Sequence, residues 1–309
     1  MDNQRHRLVT RSDFDGLVCA VLLEHLGKVD EIKFVHPKDV QDGKIDFTER
    51  DITTNLPYDP RVAICFDHHH SEVHRVGEQP NHIIDPSAPS AARVVWRHFG
   101  GHDTFPAAWD EMMAAVDKGD SADFTRDEII NPQGWPLLNF LMDARTGLGR
   151  FRHFTVSNYQ LMMDLISYCK DHSIDEILQL PDVKERVECY FEHEEKFKEQ
   201  LQRCGKVHGK LLEMDLREEE TIWPGNRFML YALYPQCNIS MSIFMGFQRQ
   251  NTVFAVGKSI LDRGSPVDVG SLMLAYGGGG HLAAGTCQIA HEDAERVREE
   301  LIEKITAQG

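Results

Sequence analysis

The chain has 309 residues, a formal net charge of −16, and 41% apolar against 27% charged residues. That length leaves room for about two domains of ordinary soluble composition, and no apolar run is long enough to span a bilayer. The acidic balance argues against a nonspecific nucleic-acid binder, which works through a basic surface; an anionic substrate would need a local device, such as a metal ion, to reverse the field.

The start, MDNQRHRLVT, lacks the apolar core of a signal peptide, and the seven cysteines are scattered without a CxxC pair. Reduced thiols in a cytoplasmic protein are therefore expected. His6–Thr10 reads as a strand and Asp15–Gly27 as a helix. That helix is apolar nearly all round, which predicts burial against a sheet. Segments 31–37, 44–55, 62–70 and 82–100 continue the alternation of strand and helix, so the expected core is a parallel α/β sheet. Asp13 and Asp15 then fall between the first strand and its helix, where open α/β sheets bind ligands. Residues 85–92 offer several helix caps.

From about residue 158 to 204 the pattern is helical. Its latter part, 183–205, is charged on most faces and ends at Gly205, as a solvent-facing connector would. The expected division is a catalytic domain over 1–185, a connector helix over 186–205 and a smaller mixed α/β domain over 206–309. In the last of these, 210–216, 227–234 and 251–260 read as strands. A glycine-rich stretch and an amphipathic helix over 292–305 follow.

Five constellations carry candidate chemistry. Asp13-Phe-Asp15-Gly16 sets two carboxylates at i and i+2, either as ligands of a hard divalent cation or as a helix cap with a spare acid. In Asp67-His68-His69-His70, three histidines follow an apolar strand directly. Imidazoles bind transition metals, and a neighbouring carboxylate can orient one through its other nitrogen. Asp51 stands in RDITTN as a turn acid or a ligand. Asp117, Asp120 and Asp123 follow an apolar helical segment. Finally, Tyr276 to Gly285, YGGGGHLAAG, can bring backbone N–H groups close to an anion in a nest, with His281 as a further donor.

Taken in order, Asp13-Phe-Asp15-Gly16, Asp51, Asp67-His68-His69, Asp117 and Gly277–His281 resemble the DHH phosphoesterases with a C-terminal DHH-associated domain, over nearly the whole chain. Within that family the likeness is nearest to phosphodiesterases of very short RNAs and to exopolyphosphatase-related proteins. The resemblance implies two divalent ions, usually manganese with magnesium or cobalt as alternatives, in a cleft between the domains. It implies that Asp13 and Asp15 serve different ions, that Asp51 bridges them, and that His68 and Asp117 complete the second site. Asp117 is taken over Asp120 because it directly follows the apolar segment. His69 would face the phosphate with Asp67 behind it. Ser259, Arg263, Gly278, Gly279, Gly280 and His281 would hold the far end of the substrate. Two cations would clamp the phosphate, lower the pKa of a water and steady the leaving oxygen during in-line attack.

One position departs from the family. A histidine is expected two to four residues before the first aspartate, where this chain has Val9, Thr10 and Arg11. Three readings follow. The first site is weak and partly filled by water, another histidine reaches in, or Arg11 supplies positive charge to the scissile phosphate beside one metal. The function expected is a manganese-dependent phosphodiesterase that cuts short linear oligonucleotides, above all dinucleotides, to mononucleotides. An exopolyphosphatase, a nucleoside-bisphosphate phosphatase and a catalytically silent nucleotide-binding protein are the alternatives. No membrane and no long duplex DNA are expected as partners; the sequence leaves the oligomeric state open, a homodimer included, family members often being dimers. Base stacking would need an aromatic near the glycine loop; Tyr276 or Phe244 could serve, though such residues are more often part of the core.

Overall fold

The structure is a computed structural model that describes residues 5–308. In chain order its main elements begin with β1 His6–Arg11, α1 Phe14–His25, β2 Val29–Val35, α2 Pro37–Gln41, β3 Asp51–Thr54, β4 Ile64–Asp67, α3 His70–Val76, β5 His82–Ile84, α4 Ala91–His98 and α5 Asp110–Asp120. Then come α6 Arg126–Ile130, α7 Gly134–Met142, α8 Asn158–Asp171, α9 Ile174–Ile177, α10 Pro181–Glu192 and α11 Glu194–Cys204. The rest comprises β6 Gly205–His208, β7 Leu211–Asp215, α12 Met229–Leu233, β8 Ile239–Met245, β9 Thr252–Lys258, α13 Val269–Leu274, β10 Gly279–His281, β11 Ala284–Ile289 and α14 Ala294–Thr306. Among the described residues no helix is long and apolar enough to cross a membrane, and all seven cysteines are free thiols.

The chain divides into two compact units. The first runs up to Asp123 and adds Gln133–Ala144 and Leu148–Glu188; the second comprises Phe124–Pro132, Arg145–Gly147 and everything from Cys189 on. The charged stretch 183–205, expected as one connector, is two helices, α10 and α11, broken at His193, and the unit boundary falls inside α10.

Unit 1 is the expected parallel sheet, in the order β2-β1-β3-β4-β5. The order reverses between β1 and β3, so a crevice opens at their carboxyl ends. Helix α1 is buried from Phe14 through Leu23 and packs against α4, α5 and α8. Its start is abrupt. A Cβ on Gly16 would stand 2.0 Å from the Arg11 carbonyl oxygen, so only glycine lets the helix turn back over the strand end. Asp13 caps α1 by accepting from the Gly16 N–H.

Unit 2 carries a six-stranded mixed sheet, β10-β11-β9-β8-β7-β6, over a core of Met241, Ile243, Phe254, Val269, Met273, Val297 and Leu301. One expectation fails here. Residues 227–234 form no strand; Met229–Leu233 is a short helix, α12, with Met229, Leu230, Tyr231 and Ala232 all buried. The run lacks the polar alternation of a half-buried strand, and Leu, Met and Ala favour a helix. The strand of this region is β8, which follows Pro235.

Candidate metal centre

Three strand ends of unit 1 supply the side chains. Asp13 and Asp15 follow β1, Asn55 follows β3, and Asp67, His68 and His69 close β4. Asp15, His68 and Asp120 place ligand atoms within 4.8 Å of one another, and they form the one metal-capable group of three or more among the described residues.

Asp15 is buried, and its carboxylate spans the N-terminus of α4, accepting from the Ala91 N–H at 2.9 Å and the Ala92 N–H at 2.8 Å. Burial and the neighbouring Asp120 charge push its pKa up to about 8. His68 donates through Nδ1 to the Ala88 carbonyl at 3.2 Å, which leaves Nε2 as the nitrogen that faces the acids. Nε2 lies 3.0 Å from Asp120 Oδ2 but off the line of a hydrogen bond, as two ligands aimed at a common point would be. Burial works against charge on this ring, yet Asp120, Asp15 and Asp67 outweigh it and raise its pKa to about 9. A cation among these groups would offset the charge that drives both shifts.

Two further buried atoms beside these residues, Asp67 Oδ2 and Asn55 Oδ1, make no hydrogen bond among the described residues. Carboxylate and imidazole donors with orphaned oxygen and nitrogen atoms fit a hard or borderline divalent cation. His69 is set behind them. Its Nδ1 lies 2.7 Å from Asp67 Oδ1, and its ring remains partly exposed. Burial lowers the proton affinity of this ring, but the Asp67 carboxylate raises it more.

Two expected ligands lie elsewhere. Asp51 opens β3 rather than following it. In register it faces Arg7, near the amino end of β1, and it is bound by Arg7 Nε at 2.7 Å and Nη2 at 2.9 Å and by the Thr48 N–H at 2.7 Å. The residue at the carboxyl end of that strand is Asn55. It adopts a left-handed φ of 55°, which asparagine tolerates, and donates from Nδ2 to Asp13 Oδ1 at 3.3 Å. Asp117 sits one turn before Asp120 on α5 and is engaged by Ser90 Oγ at 2.7 Å and Arg93 Nε at 2.9 Å. It braces the cap of α4, and Asp120 meets His68 instead. Counting strand ends would have found Asn55, because Asp13 and Asp67-His68 already mark the carboxyl edge. Arg11 lies against Asp13, Nε to Oδ2 2.7 Å.

In unit 2 the glycines of the loop form the edge strand β10, paired with β11. Gly278 is required by crowding, since a Cβ there would meet the Thr286 carbonyl at 2.0 Å. Gly279, Gly280 and His281 line a cavity of about 280 Å³ with Asp268, Ser271 and Leu282. Ser259 is buried, and its Oγ accepts from the Leu261 and Asp262 N–H groups at 3.1 and 3.0 Å; Arg263 is exposed. Tyr276 bonds Glu300 and Lys304 of α14, which ties it to that helix, and Phe244 is a half-buried residue of β8.

A feature with no sequence signal lies in unit 1. Phe151, Arg152, Phe154, Asn158 and Tyr159 line a cavity of about 450 Å³. Its wall is held by Arg186, fully buried, which stacks on Phe154 at 4.2 Å and donates to the Val156 carbonyl at 2.6 Å. Tyr159 contacts Phe34 edge-on at 6.2 Å, and Phe34 pairs in register with Thr10 of β1. One lining residue of the cavity, Tyr159, therefore touches β2 one residue short of its end.

A parallel sheet with acids and a histidine gathered at its switch point defines an α/β protein with a candidate cation site. No family model and no curated protein matches the chain. Among solved structures it is 66% identical to the pGpG-specific phosphodiesterase PggH of Vibrio cholerae, with TM-score 0.87, covering 99% of this chain and 100% of that one. CDC45 of Entamoeba histolytica shares the fold, with TM-score 0.52 and 8% identity over 98% of this chain and 96% of that one. Exonuclease RecJ bound to manganese aligns at TM-score 0.48 and 14% identity, over 99% of this chain and 91% of that one. The chain belongs to the DHH phosphoesterases.

Proposed function

We propose that this protein is a divalent-cation-dependent phosphodiesterase that hydrolyses short linear dinucleotides to mononucleotides, with pGpG as the first substrate to test. The observation that carries this reading is the convergence of Asp15, His68 and Asp120, in a chain 66% identical end to end to a pGpG-specific enzyme. These three residues would hold the cation, manganese being the ion expected. When bound, it would polarise the phosphate and ease deprotonation of the attacking water.

The chain's own residues do the rest. The N–H groups of Ala91 and Ala92 fix Asp15, so the carboxylate needs no reorganisation on ion binding. The Ala88 carbonyl fixes the His68 tautomer. Asp67 accepts from His69 Nδ1–H, which orients the ring and favours its protonated form, so Nε2–H is positioned to donate to the phosphate or to the leaving oxygen. A nucleobase suits the Phe151–Phe154–Tyr159 cavity, where flat aromatic faces stack on any base and Asn158 and Arg152 add polar contacts. Polyphosphate would have no use for such a pocket. Ser259, Arg263, Gly278, Gly279, Gly280 and His281 of unit 2 are assigned to the remaining substrate contacts.

The test is a substrate panel with purified protein and Mn²⁺: pGpG, other dinucleotides, longer RNA, cyclic dinucleotides and polyphosphate. GMP release from pGpG, well ahead of chain shortening of longer RNA, is expected. Binding of pGpG without turnover would instead establish the silent nucleotide-binding alternative.

A further inference from the structure

We infer that this centre takes one cation per chain, and that the Arg11 guanidinium occupies the electrostatic role of a second. The inference rests on the reading just given. On one side of the crevice stand the three donors Asp15, His68 and Asp120. On the other stand Arg11, Asp13 and Asn55, and they do not make a second site.

Both oxygens of Asp13 are engaged and, unlike those of Asp15, which accept only backbone N–H groups, one of them is held by a cation. Oδ2 pairs with Arg11 Nε at 2.7 Å, and Oδ1 accepts from the Gly16 N–H at 3.0 Å and from Asn55 Nδ2 at 3.3 Å. Asn55 fills the strand end next to β1, where an acid could bridge two ions, but it is neutral. The acid of that strand, Asp51, is locked to Arg7 and Thr48 at the other end of the sheet. No histidine or acid from elsewhere joins the group among the described residues. A dication placed against Asp13 would also face the guanidinium, a like charge within contact distance.

The same charge serves the substrate. Arg11 is about one-third exposed, and a guanidinium presents paired N–H donors that match phosphate oxygens. The first-motif histidine of the family, absent here, is thus replaced by a residue of opposite coordination behaviour: Arg11 repels metal and attracts phosphate.

The measurement is the number of Mn²⁺ ions bound by metal-free protein, from equilibrium dialysis with elemental analysis, paired with the electron paramagnetic resonance spectrum of the bound ion. It is repeated in His74→Ala, because His70 and His74 set their Nε2 atoms 3.2 Å apart on α3 and can hold an ion of their own. One ion per chain with the hyperfine pattern of an isolated Mn²⁺ is expected. The double variant Arg11→His, Asn55→Asp should bind two and show exchange coupling. Arg11→Ala should keep one ion and lose about 10²- to 10³-fold in kcat, the scale of one positioned donor at a transition state. Two coupled ions in the wild type, or a single ion in the double variant, would overturn the inference. Turnover of pGpG by a two-ion protein would sink this inference and keep the proposed function; one tightly held ion without turnover would do the reverse.

Discussion

At the scale of single residues, Asp117 and Asp120 separate two tasks that one helical turn places side by side. Asp120 faces His68, while Asp117 is bound by Ser90 and Arg93. Asp120→Asn should therefore reduce activity by at least about 10²-fold and weaken Mn²⁺ binding, through loss of a charged ligand. Asp117→Asn should leave ion affinity within about twofold and lower stability by about 1 kcal/mol; calorimetry of both variants with Mn²⁺ decides. Asp51 is the companion case. It is buried, and although burial alone would raise its pKa, Arg7 and the Thr48 N–H hold it below the ordinary carboxylate value. Its contribution is thus fully present above the unfolded pKa near 4 and is lost as pH falls through the lower folded value. Asp51→Asn should cost about 1–3 kcal/mol at neutral pH, with the gap to wild type closing in acid. Urea melts across pH would show it, and unchanged ion binding would separate this role from a ligand's. Asp15 and His68 were legible because they follow apolar strands, whereas Asp120, on α5, was passed over for Asp117 one turn earlier. Asp51 misled because it begins a strand, and burial, not spacing, shows that its partner is Arg7.

At the scale of elements, the parallel sheet was readable from the strand–helix alternation and from the all-round apolar α1, whose burial is complete from Phe14 to Leu23. The order β2-β1-β3-β4-β5 was not readable, because nothing local in a strand names its neighbours. The mistaken strand over 227–234 has a related cause: a short, wholly buried apolar run has no period to distinguish its two possible forms. The aromatic cavity around Phe154 left no signature either. It is made by a loop whose shape depends on a buried arginine thirty residues away in sequence. Its assignment to a base has a measurable consequence. Phe154→Ala or Tyr159→Ala should raise KM for pGpG roughly 10-fold or more, the worth of one stacked base, while kcat and Mn²⁺ affinity hold. An unchanged KM in steady-state assays would remove the cavity from the substrate path.

At the scale of the whole molecule, a charge of −16 means that a dinucleotide approaches against the field. Salt shortens the range of that repulsion. The value of kcat/KM for pGpG at fixed Mn²⁺ should therefore rise, by about twofold to fivefold, as NaCl goes from about 10 to 150 mM. A basic nuclease would show the opposite slope, because it loses affinity as salt increases. A falling rate here would mean that local positive groups such as Arg11, rather than net charge, govern encounter.

The division of the chain also bears on how it comes to be folded. The chain changes unit after residues 123, 132, 144, 147 and 188. Unit 2 takes its Phe124–Phe228 ring contact, the Asn226 bond to the Ile129 carbonyl and the Gly225 bond to the Thr146 carbonyl from segments made long before its sheet. Those segments leave the ribosome with nothing yet to pack against, and they must wait for residues beyond 189. Unit 2 is therefore not a module that a single cut can release or a gene fusion can transplant. A fragment starting at Cys189 would display the apolar seat of Phe124 and Ile129, and it would need those early segments supplied as peptides to become soluble.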